Sequence, residues 1–206
     1  MILEDADQLL QPGYLPLETG FTRLPSGQIL VAVLTRLPRC KGKMIDWWFG
    51  YAGDTEKYRQ WHPHQHVSGE WDEHWRPGHY IGASHLVREY VGGTLCQLKI
   101  TFQEPSLLLD TCRFEEARVG AAICGRIGLM QKDFHLGTLI HLVRDTDFGC
   151  EMRSRFWLLY ADEPFARGVM THCIEEMGYL GDLLPDLYAG KVGDPQRDVR
   201  SPMTTA

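Results

Sequence analysis

The stretch DEPFARGVMTHCIEEMGYL, residues 162–180, decides how this chain folds. An acidic residue followed by Pro164 is typical of a helix start, because proline at the first helical position lacks only a donor that the helix would not use. Apolar side chains then recur every three or four residues, which predicts one long amphipathic helix over residues 164–183, with Pro185 beyond its end. His172 and Glu176 are four residues apart and therefore share one face of this helix.

Before this helix, short apolar segments alternate with turn signals. Strands are predicted at residues 27–36, 65–72, 79–91, 94–103, 117–127, 135–144 and 149–160. Consecutive strands joined by short turns predict a meandering antiparallel sheet. Two short helices are expected at residues 43–51 and from Asp54, a helix-capping residue, to Trp61. The predicted fold class is α+β, with a curved antiparallel sheet wrapped around the long C-terminal helix and a deep pocket between them.

The 206 residues divide into three predicted parts. Residues 1–26, interrupted by three prolines, are expected to form an extended N-terminal segment. Residues 27–190 are expected to form a single domain, and residues 191–206 a mobile C-terminal tail.

Composition limits the classes of function. Hydrophobic residues make up 44% of the chain and charged residues 23%, which is an ordinary globular balance. No apolar run approaches the roughly 18 residues of a membrane helix, and the acidic start lacks the pattern of a signal peptide, so a cytoplasmic location is expected. The net charge of −6 argues against nucleic acid or an anionic membrane as partner. Six cysteines without a C-x-x-C spacing are expected to be small buried side chains.

Histidines and carboxylates are the candidate functional residues. Three histidines lie in the segment Trp61-His62-Pro63-His64-Gln65-His66. Strand alternation places Glu89 with Val87, and His141 with Leu139 and Val143, on faces that should point inward. A buried carboxylate is costly unless it is paired or binds a metal. We therefore expect one or two of the first histidines to meet Glu89, His141 and Glu176 around a divalent metal, since imidazole and carboxylate are ligands of catalytic zinc.

Each of these residues also has a purely structural interpretation. The histidine-rich segment could be a solvated loop, and Glu89 could form a buried ion pair with Arg144. His172 and Glu176 could be an ordinary pair on the helix surface. The candidate tyrosines and tryptophans could simply be core aromatics.

Several motifs together resemble the 2,4-diacetylphloroglucinol hydrolase family, which includes the phloretin hydrolases. They are DWWFG at 46–50, YRQWHPHQH at 58–66, VREYVGG at 87–93, HLVRD at 141–145, EMRSRFW at 151–157 and HCIEEM at 172–177. The resemblance spans residues 27–190. It implies a Bet v 1-like helix-grip fold and a zinc enzyme that cleaves the carbon–carbon bond between a phloroglucinol ring and an acyl group.

The resemblance also implies site residues. One Zn²⁺ per chain is held by two histidines and two glutamates, which correspond here to Glu89, His141, Glu176 and either His62 or His66. Hydrogen-bonding groups for the phenolic oxygens are expected among tyrosines and histidine, with Tyr58 and His64 as catalytic residues and Trp61, Tyr80 and Tyr90 as substrate-binding residues. Relative to the family, the chain is short before residue 27 and between residues 157 and 172, and the latter segment helps to shape the family's substrate pocket.

The expected reaction is a hydrolysis that releases a carboxylic acid. An electron-rich ring in its ketone form makes a 1,3-diketone with the acyl group, water activated by the metal attacks the acyl carbonyl, and the ring leaves as an enolate. The expected partner is a small aromatic or polyketide-like substrate, and a homodimer stays open. The alternatives are a helix-grip binding protein for a hydrophobic ligand, with or without metal, and another zinc hydrolase or polyketide-tailoring enzyme. A structural zinc protein is the third, although the cysteines lack the spacing that such a site favours.

Overall fold

The computed structural model describes residues 1–192, and within them eight strands form one antiparallel sheet. The strands are β1 Gly20–Arg23, β2 Ile29–Leu37, β3 His66–Trp71, β4 Ser84–Val91, β5 Thr94–Gln103, β6 Val119–Leu129, β7 Lys132–Thr146 and β8 Gly149–Leu158. The helices are α1 Gly42–Tyr51, α2 Thr55–Trp61 and α3 Glu163–Val192. Side by side, the strands follow the order β1-β2-β8-β7-β6-β5-β4-β3.

The sheet curves around α3. This helix contacts β1 and β2 at one edge of the sheet and β4 near the opposite edge, which a flat sheet would not permit. The predicted α+β arrangement of a curved antiparallel sheet around a long C-terminal helix is therefore confirmed.

Strand alternation separates an inner face, which points at α3, from an outer face. On β7, Leu139 and Val143 belong to the buried cluster that includes α3, and His141 between them lines the inner cavity. Ile140 and Leu142 instead belong to a second buried cluster on the outer face. The alternation predicted for this strand is confirmed, and it explains why both faces of the sheet are apolar.

The N-terminal segment was predicted to be extended. It instead contains a helical turn and covers the outer face of the sheet. A 3₁₀ helix spans Leu3–Leu10, and its Ala6, Leu9 and Leu10 are buried in the outer cluster. Gly20–Arg23 then adds the edge strand β1 beside β2. The physical reason is that the outer face is itself apolar and is stabilised by a covering layer.

Buried ion pairs and hydrogen bonds hold the N-terminal segment against β8. Glu18 accepts from Arg153 Nη2 and from Arg155 Nη2, each at 2.5 Å, and both arginines are at most 1% exposed. Arg153 Nη1 also donates to the carbonyl of Leu9 at 2.8 Å. We call Glu18, Arg153 and Arg155 the outer charge network.

Helix α3 extends beyond its predicted end at residue 183 and contains Pro185. Proline removes one backbone donor, which leaves the carbonyl of Gly181 without its helical partner. The thiol of Cys40 donates to this carbonyl with a sulfur–oxygen distance of 3.8 Å, and Leu184 and Tyr188 bury the next turns. The helix ends at Val192, so it includes the first two residues of the predicted tail, and residues 193–206 lie outside the described part.

Two glycine backbones meet where α3 passes the β4–β5 turn. A Cβ atom added to Gly168 would lie 2.8 Å from the Cα of Gly92, which itself has a φ of 58°. Only glycine permits both this contact and this backbone conformation without strain.

Asp54 caps α2 as predicted, since its carboxylate accepts from the backbone of Lys57 at 2.9 Å. Strand β4 begins at Ser84 rather than at 79, because the preceding residues form a turn that includes Gly82 at a φ of 82°. No helix within residues 1–192 is long and apolar enough to cross a membrane.

Candidate metal centre

Three elements bring four ionisable side chains together inside the curved sheet. His66 is the first residue of β3 and lies opposite Glu89 of β4 in the sheet register. His172 and Glu176 lie one turn apart on α3. All four are buried, with exposed fractions between 3% and 9%.

The distances among these groups suit a single ion. His66 Nε2 lies 3.7 Å from Glu89 Oε2 and 3.4 Å from Glu176 Oε1, and His172 Nε2 lies 3.9 Å from Glu89 Oε2. Ligand bonds of about 2.0–2.2 Å in a tetrahedral zinc site separate the ligand atoms by roughly 3.3–3.6 Å. One ligand atom each from His66, Glu89 and His172 falls within a mutual distance of 4.8 Å.

The histidines are oriented for ligation by their other ring nitrogens. His66 Nδ1 donates to the carbonyl of Tyr58 at 2.8 Å, and His172 Nδ1 donates to Gln65 Oε1 at 2.6 Å. The amide of Gln65 donates to Glu175 at 3.0 Å, which fixes its oxygen toward His172. Such partners hold ligating imidazoles in the required tautomer. His66 Nε2 is buried and has no hydrogen-bond partner among the described residues, so the side chains present fit a metal ion.

Tyr58 contacts two members of this group, Glu89 and His66. Its hydroxyl donates to Glu89 Oε2, and its ring stacks on His66 with 3.8 Å between centroids. Burial first, and then the nearby charge of Glu89, raise the pKa of Tyr58 well above its usual value. The phenol therefore stays protonated and remains a donor to Glu89.

The charges in this group are unbalanced. Burial alone would raise the pKa of Glu176, but His66, whose Nε2 lies 3.4 Å away, and the neighbouring histidines lower it below its usual value. Burial lowers the pKa of His141 to about 4, so this imidazole is neutral at pH 7. A buried carboxylate with a lowered pKa that faces neutral histidine nitrogens favours the binding of a cation.

His172, and not His141 as predicted, lies close to His66 and Glu89. His141 lies in the cavity wall, where its Nδ1 is 2.7 Å from Ser154 Oγ, and it is absent from the close group that contains His172. His172 is not among the ligands predicted from the sequence, although its four-residue spacing from Glu176 on an amphipathic helix was the available signal. The geometry places His66, Glu89 and His172 within reach of one ion, and Glu176, which lies 3.4 Å from His66 Nε2, completes a candidate set of four ligands.

Of the two histidines left open as first ligand, His66 is the one in the group. His62 is buried beside it, accepts from the backbone of Gln65 at 3.3 Å, and stacks on His172 with 5.2 Å between centroids. His64, predicted as catalytic, is solvent-exposed and does not line the cavity, because Pro63 and His64 form the outer turn before β3.

The predicted substrate-binding aromatics divide in the same way. Trp61 lines the cavity. Tyr80 lies outside it and donates its hydroxyl to Asp46 at 2.6 Å. Tyr90 is 42% exposed, because strand alternation turns it away from Glu89.

Two structural alternatives do not hold. Arg144 lies on the outer side of the sheet, where it donates to the carbonyls of Leu9 and Gln11, and does not pair with Glu89. His172 and Glu176 are buried rather than on the helix surface.

A cavity of about 600 Å³ adjoins this group of side chains. Glu89, His141, His172 and Glu176 contribute to its wall, and most of the remaining lining is aliphatic or aromatic. Ligand sites typically combine an apolar pocket with a few convergent polar groups, which this cavity does.

Comparison with known proteins agrees with this architecture. Ara h 8.0201 has a similar structure, with a TM-score of 0.53, 11% sequence identity, and coverage of 78% of this chain and 99% of that protein. This likeness confirms the predicted Bet v 1-like helix-grip fold.

Sequence relatives point to one family. A 2,4-diacetylphloroglucinol hydrolase of Pseudomonas sp is 27% identical over 90% of this chain and 76% of its own length. Phloretin hydrolase of Eubacterium ramulus is 26% identical over 82% of this chain and 71% of its own length. The family profile described as DAPG hydrolase PhiG domain matches residues 1–164, and the chain belongs to this family.

Proposed function

We propose that this protein is a zinc-dependent hydrolase that cleaves the carbon–carbon bond between a phloroglucinol-like ring and an acyl group. The observation that carries the proposal is the buried group of His66, Glu89, His172 and Glu176 at the wall of an apolar cavity. Relatives named as hydrolases of acylated phenols support the choice of substrate class. A cytoplasmic location and a homodimer stay predictions.

Zinc bound by these four residues would supply Lewis-acid polarisation of a carbonyl oxygen and lower the pKa of water. The chain's own residues position the reactants. Tyr58 holds Glu89 by a hydrogen bond, and Gln65 holds His172, so the ligands are fixed before substrate enters.

His141 is the side chain placed to hold the ring. In this proposal the hydroxyl of Ser154 donates to His141 Nδ1, which leaves Nε2–H free to donate to a phenolic oxygen. A neutral imidazole suits this task, because it donates a hydrogen bond without bringing a second positive charge beside the metal. The apolar wall, including Trp61 and Phe156, limits the access of other water molecules to the leaving ring.

Metal analysis of purified protein tests the ligand set. We expect about one zinc per chain in the wild type and in His74→Ala, a control in an exposed histidine. Zinc should be absent from His172→Ala. In His141→Ala we expect zinc to be retained while the release of acetate from acetylphloroglucinol falls by about 100-fold or more.

Other outcomes would change the proposal. Zinc retained at full occupancy in His172→Ala would remove that residue from the ligand set, and zinc lost from His141→Ala would place His141 in it. A wild-type protein that contains no zinc but binds acyl phenols in its cavity would instead be a helix-grip binding protein.

A further inference from the structure

The cavity beside the proposed metal centre has a polar end and an apolar end. From His141, the inward positions of β7 continue with Leu139 and Leu136 toward the β6–β7 turn. Leu129 of β6 and Leu98 of β5, which lie opposite each other in the sheet, line the same section. We call this region, formed by Leu98, Ile127, Leu129, Leu136 and Leu139, the aliphatic section.

The cavity is larger than an acetylated ring requires. Its volume is about 600 Å³. A trihydroxybenzene with an acetyl group has about 12 non-hydrogen atoms, which need at most roughly 360 Å³ if each takes the ~30 Å³ of a water molecule in the liquid. By the same measure the remaining space, about 240 Å³, holds roughly eight methylene groups.

The aliphatic section lies between the metal centre and the surface. Leu95 and Tyr160 line the cavity and are 46% and 79% exposed, so the cavity reaches solvent beside the start of α3. Polar lining residues away from the metal centre, such as Gln97 and Asp162, are exposed at this mouth. A ligand that enters with its polar ring first would leave an attached chain along the aliphatic section.

We infer that the substrate is an alkanoyl phloroglucinol whose acyl chain, of roughly six to ten carbons by the volume above, occupies the aliphatic section. This inference rests on the proposed function. Hydrolysis would break the bond between the ring carbon and the acyl carbon, form a bond from the acyl carbon to the oxygen of water, and place a proton on the ring carbon. The products are phloroglucinol and a medium-chain carboxylic acid.

We place the alkyl chain on the acyl group of the substrate because the ring hydroxyl groups need polar partners at the metal centre. The ring carries hydroxyl groups around its edge, and these must face His141 and the other polar residues of the centre. The carbonyl lies at the bond that is cleaved, and its far side is the part of the molecule that can extend toward Leu139 and Leu98.

Binding of non-cleavable analogues tests the inference independently of turnover. In alkyl phloroglucinols, from ethyl to decyl, a methylene replaces the carbonyl, and their dissociation constants can be measured by calorimetry on the zinc-loaded protein. We expect the dissociation constant to fall by about fourfold for each added methylene up to roughly eight carbons and then to level off. A dissociation constant that is constant or rises from ethyl onward would overturn the inference.

Variants in the aliphatic section locate the chain. Leu98→Trp should raise the dissociation constant of the octyl analogue by at least tenfold relative to that of the ethyl analogue, since the larger side chain fills the space. Leu136→Phe, a smaller change, should shift the same ratio in the same direction if Leu98→Trp proves unstable. Leu107→Trp, at an exposed position outside the cavity, should leave the ratio unchanged.

Hydrolysis of the matching alkanoyl series separates the two proposals. Fast release of acetate together with chain-independent binding would overturn the chain assignment and leave the hydrolase function intact. Tighter binding with chain length but no acid release from any member would reject the hydrolase function, and the aliphatic section would then serve a binding protein. Tightening seen only when the chain is on another ring carbon, beside an acetyl group, would overturn the assignment to the acyl group.

Discussion

Charged side chains are buried on both faces of the sheet, but the two groups are completed differently. In the outer charge network, Glu18 accepts from Arg153 and Arg155, and backbone carbonyls take further arginine donors. On the inner face, Glu89 and Glu176 face histidines, with no lysine or arginine paired to them in the described part of the chain. A buried group that lacks a countercharge indicates a ligand, whereas one that supplies its own indicates structure.

Metal removal is expected to have the largest effect, and on the inner group alone. At zinc concentrations about 1,000 times the dissociation constant, binding adds about 4 kcal/mol to the free energy of unfolding. We expect urea unfolding of the wild type to shift by this amount when a chelator removes zinc. The shift should vanish in His172→Ala, and an equal shift in both proteins would mean that zinc stabilises the fold through other residues.

Neutralising Glu18 should destabilise the protein without affecting zinc. Glu18→Gln leaves two buried arginines without their carboxylate, and breaking such a pairing typically costs about 3–5 kcal/mol. Urea unfolding measures the loss, and metal analysis should still give one zinc per chain. Glu4→Gln, in an exposed residue of the same N-terminal segment, is the control and should change the free energy of unfolding by less than about 0.5 kcal/mol.

Gln65, which directly precedes β3, holds His172 of α3 by a hydrogen bond. Its removal should affect zinc binding less than removal of a ligand does. Gln65→Ala removes the acceptor for His172 Nδ1, and loss of such a partner typically weakens metal binding by about 10-fold to 100-fold. Competition with a chelator of known affinity measures this change. Gln131→Ala, in the exposed β6–β7 turn, should leave zinc affinity unaltered. An unchanged affinity in Gln65→Ala would show that this hydrogen bond does not support the centre.

His85, which lies outside the candidate ligand set, should make the stability of the protein depend on pH. Burial lowers its pKa from 6.5 to about 3, so below pH 6.5 the unfolded chain binds a proton that the folded protein excludes. The free energy of unfolding should therefore decrease as pH falls, by about 1.4 kcal/mol per pH unit for this group. His85→Phe, which keeps the stacking on Trp71, should remove this contribution. Equal slopes between pH 6 and pH 4 in the two chelated proteins would contradict the assignment.

The sequence predicted those parts of the site that follow from local periodicity. Alternation along β4 and β7 correctly turned Glu89 and His141 inward, and the four-residue spacing on the last helix put Glu176 on the same face as His172. The sequence could not choose between His62 and His66, because both follow α2 in a turn whose direction depends on tertiary contacts. The choice between His141 and His172 required knowing how α3 rotates against the sheet, which no spacing within one element reveals.

Periodicity likewise predicted only part of the fold. The order of strands and the final helix follow from periodicity and turn residues. The cover that Leu9 and Leu10 place over the outer face was not predicted, because it depends on a distant apolar surface. Pro185 also misled the prediction, since the partner that relieves its missing hydrogen bond, Cys40, lies far away in sequence.

The meeting of Gly92 and Gly168 sets the span of the metal centre. Gly92 follows Glu89 by three residues on one side, and Gly168 precedes His172 by one helical turn on the other. The positions of Glu89 and His172 therefore both depend on one backbone contact, in which no side chain lies between the two glycines. If the helix slid along the sheet or moved away from it, this contact would open. The two glycines therefore help to fix the distance between the Glu89 carboxylate on β4 and the His172 imidazole on α3.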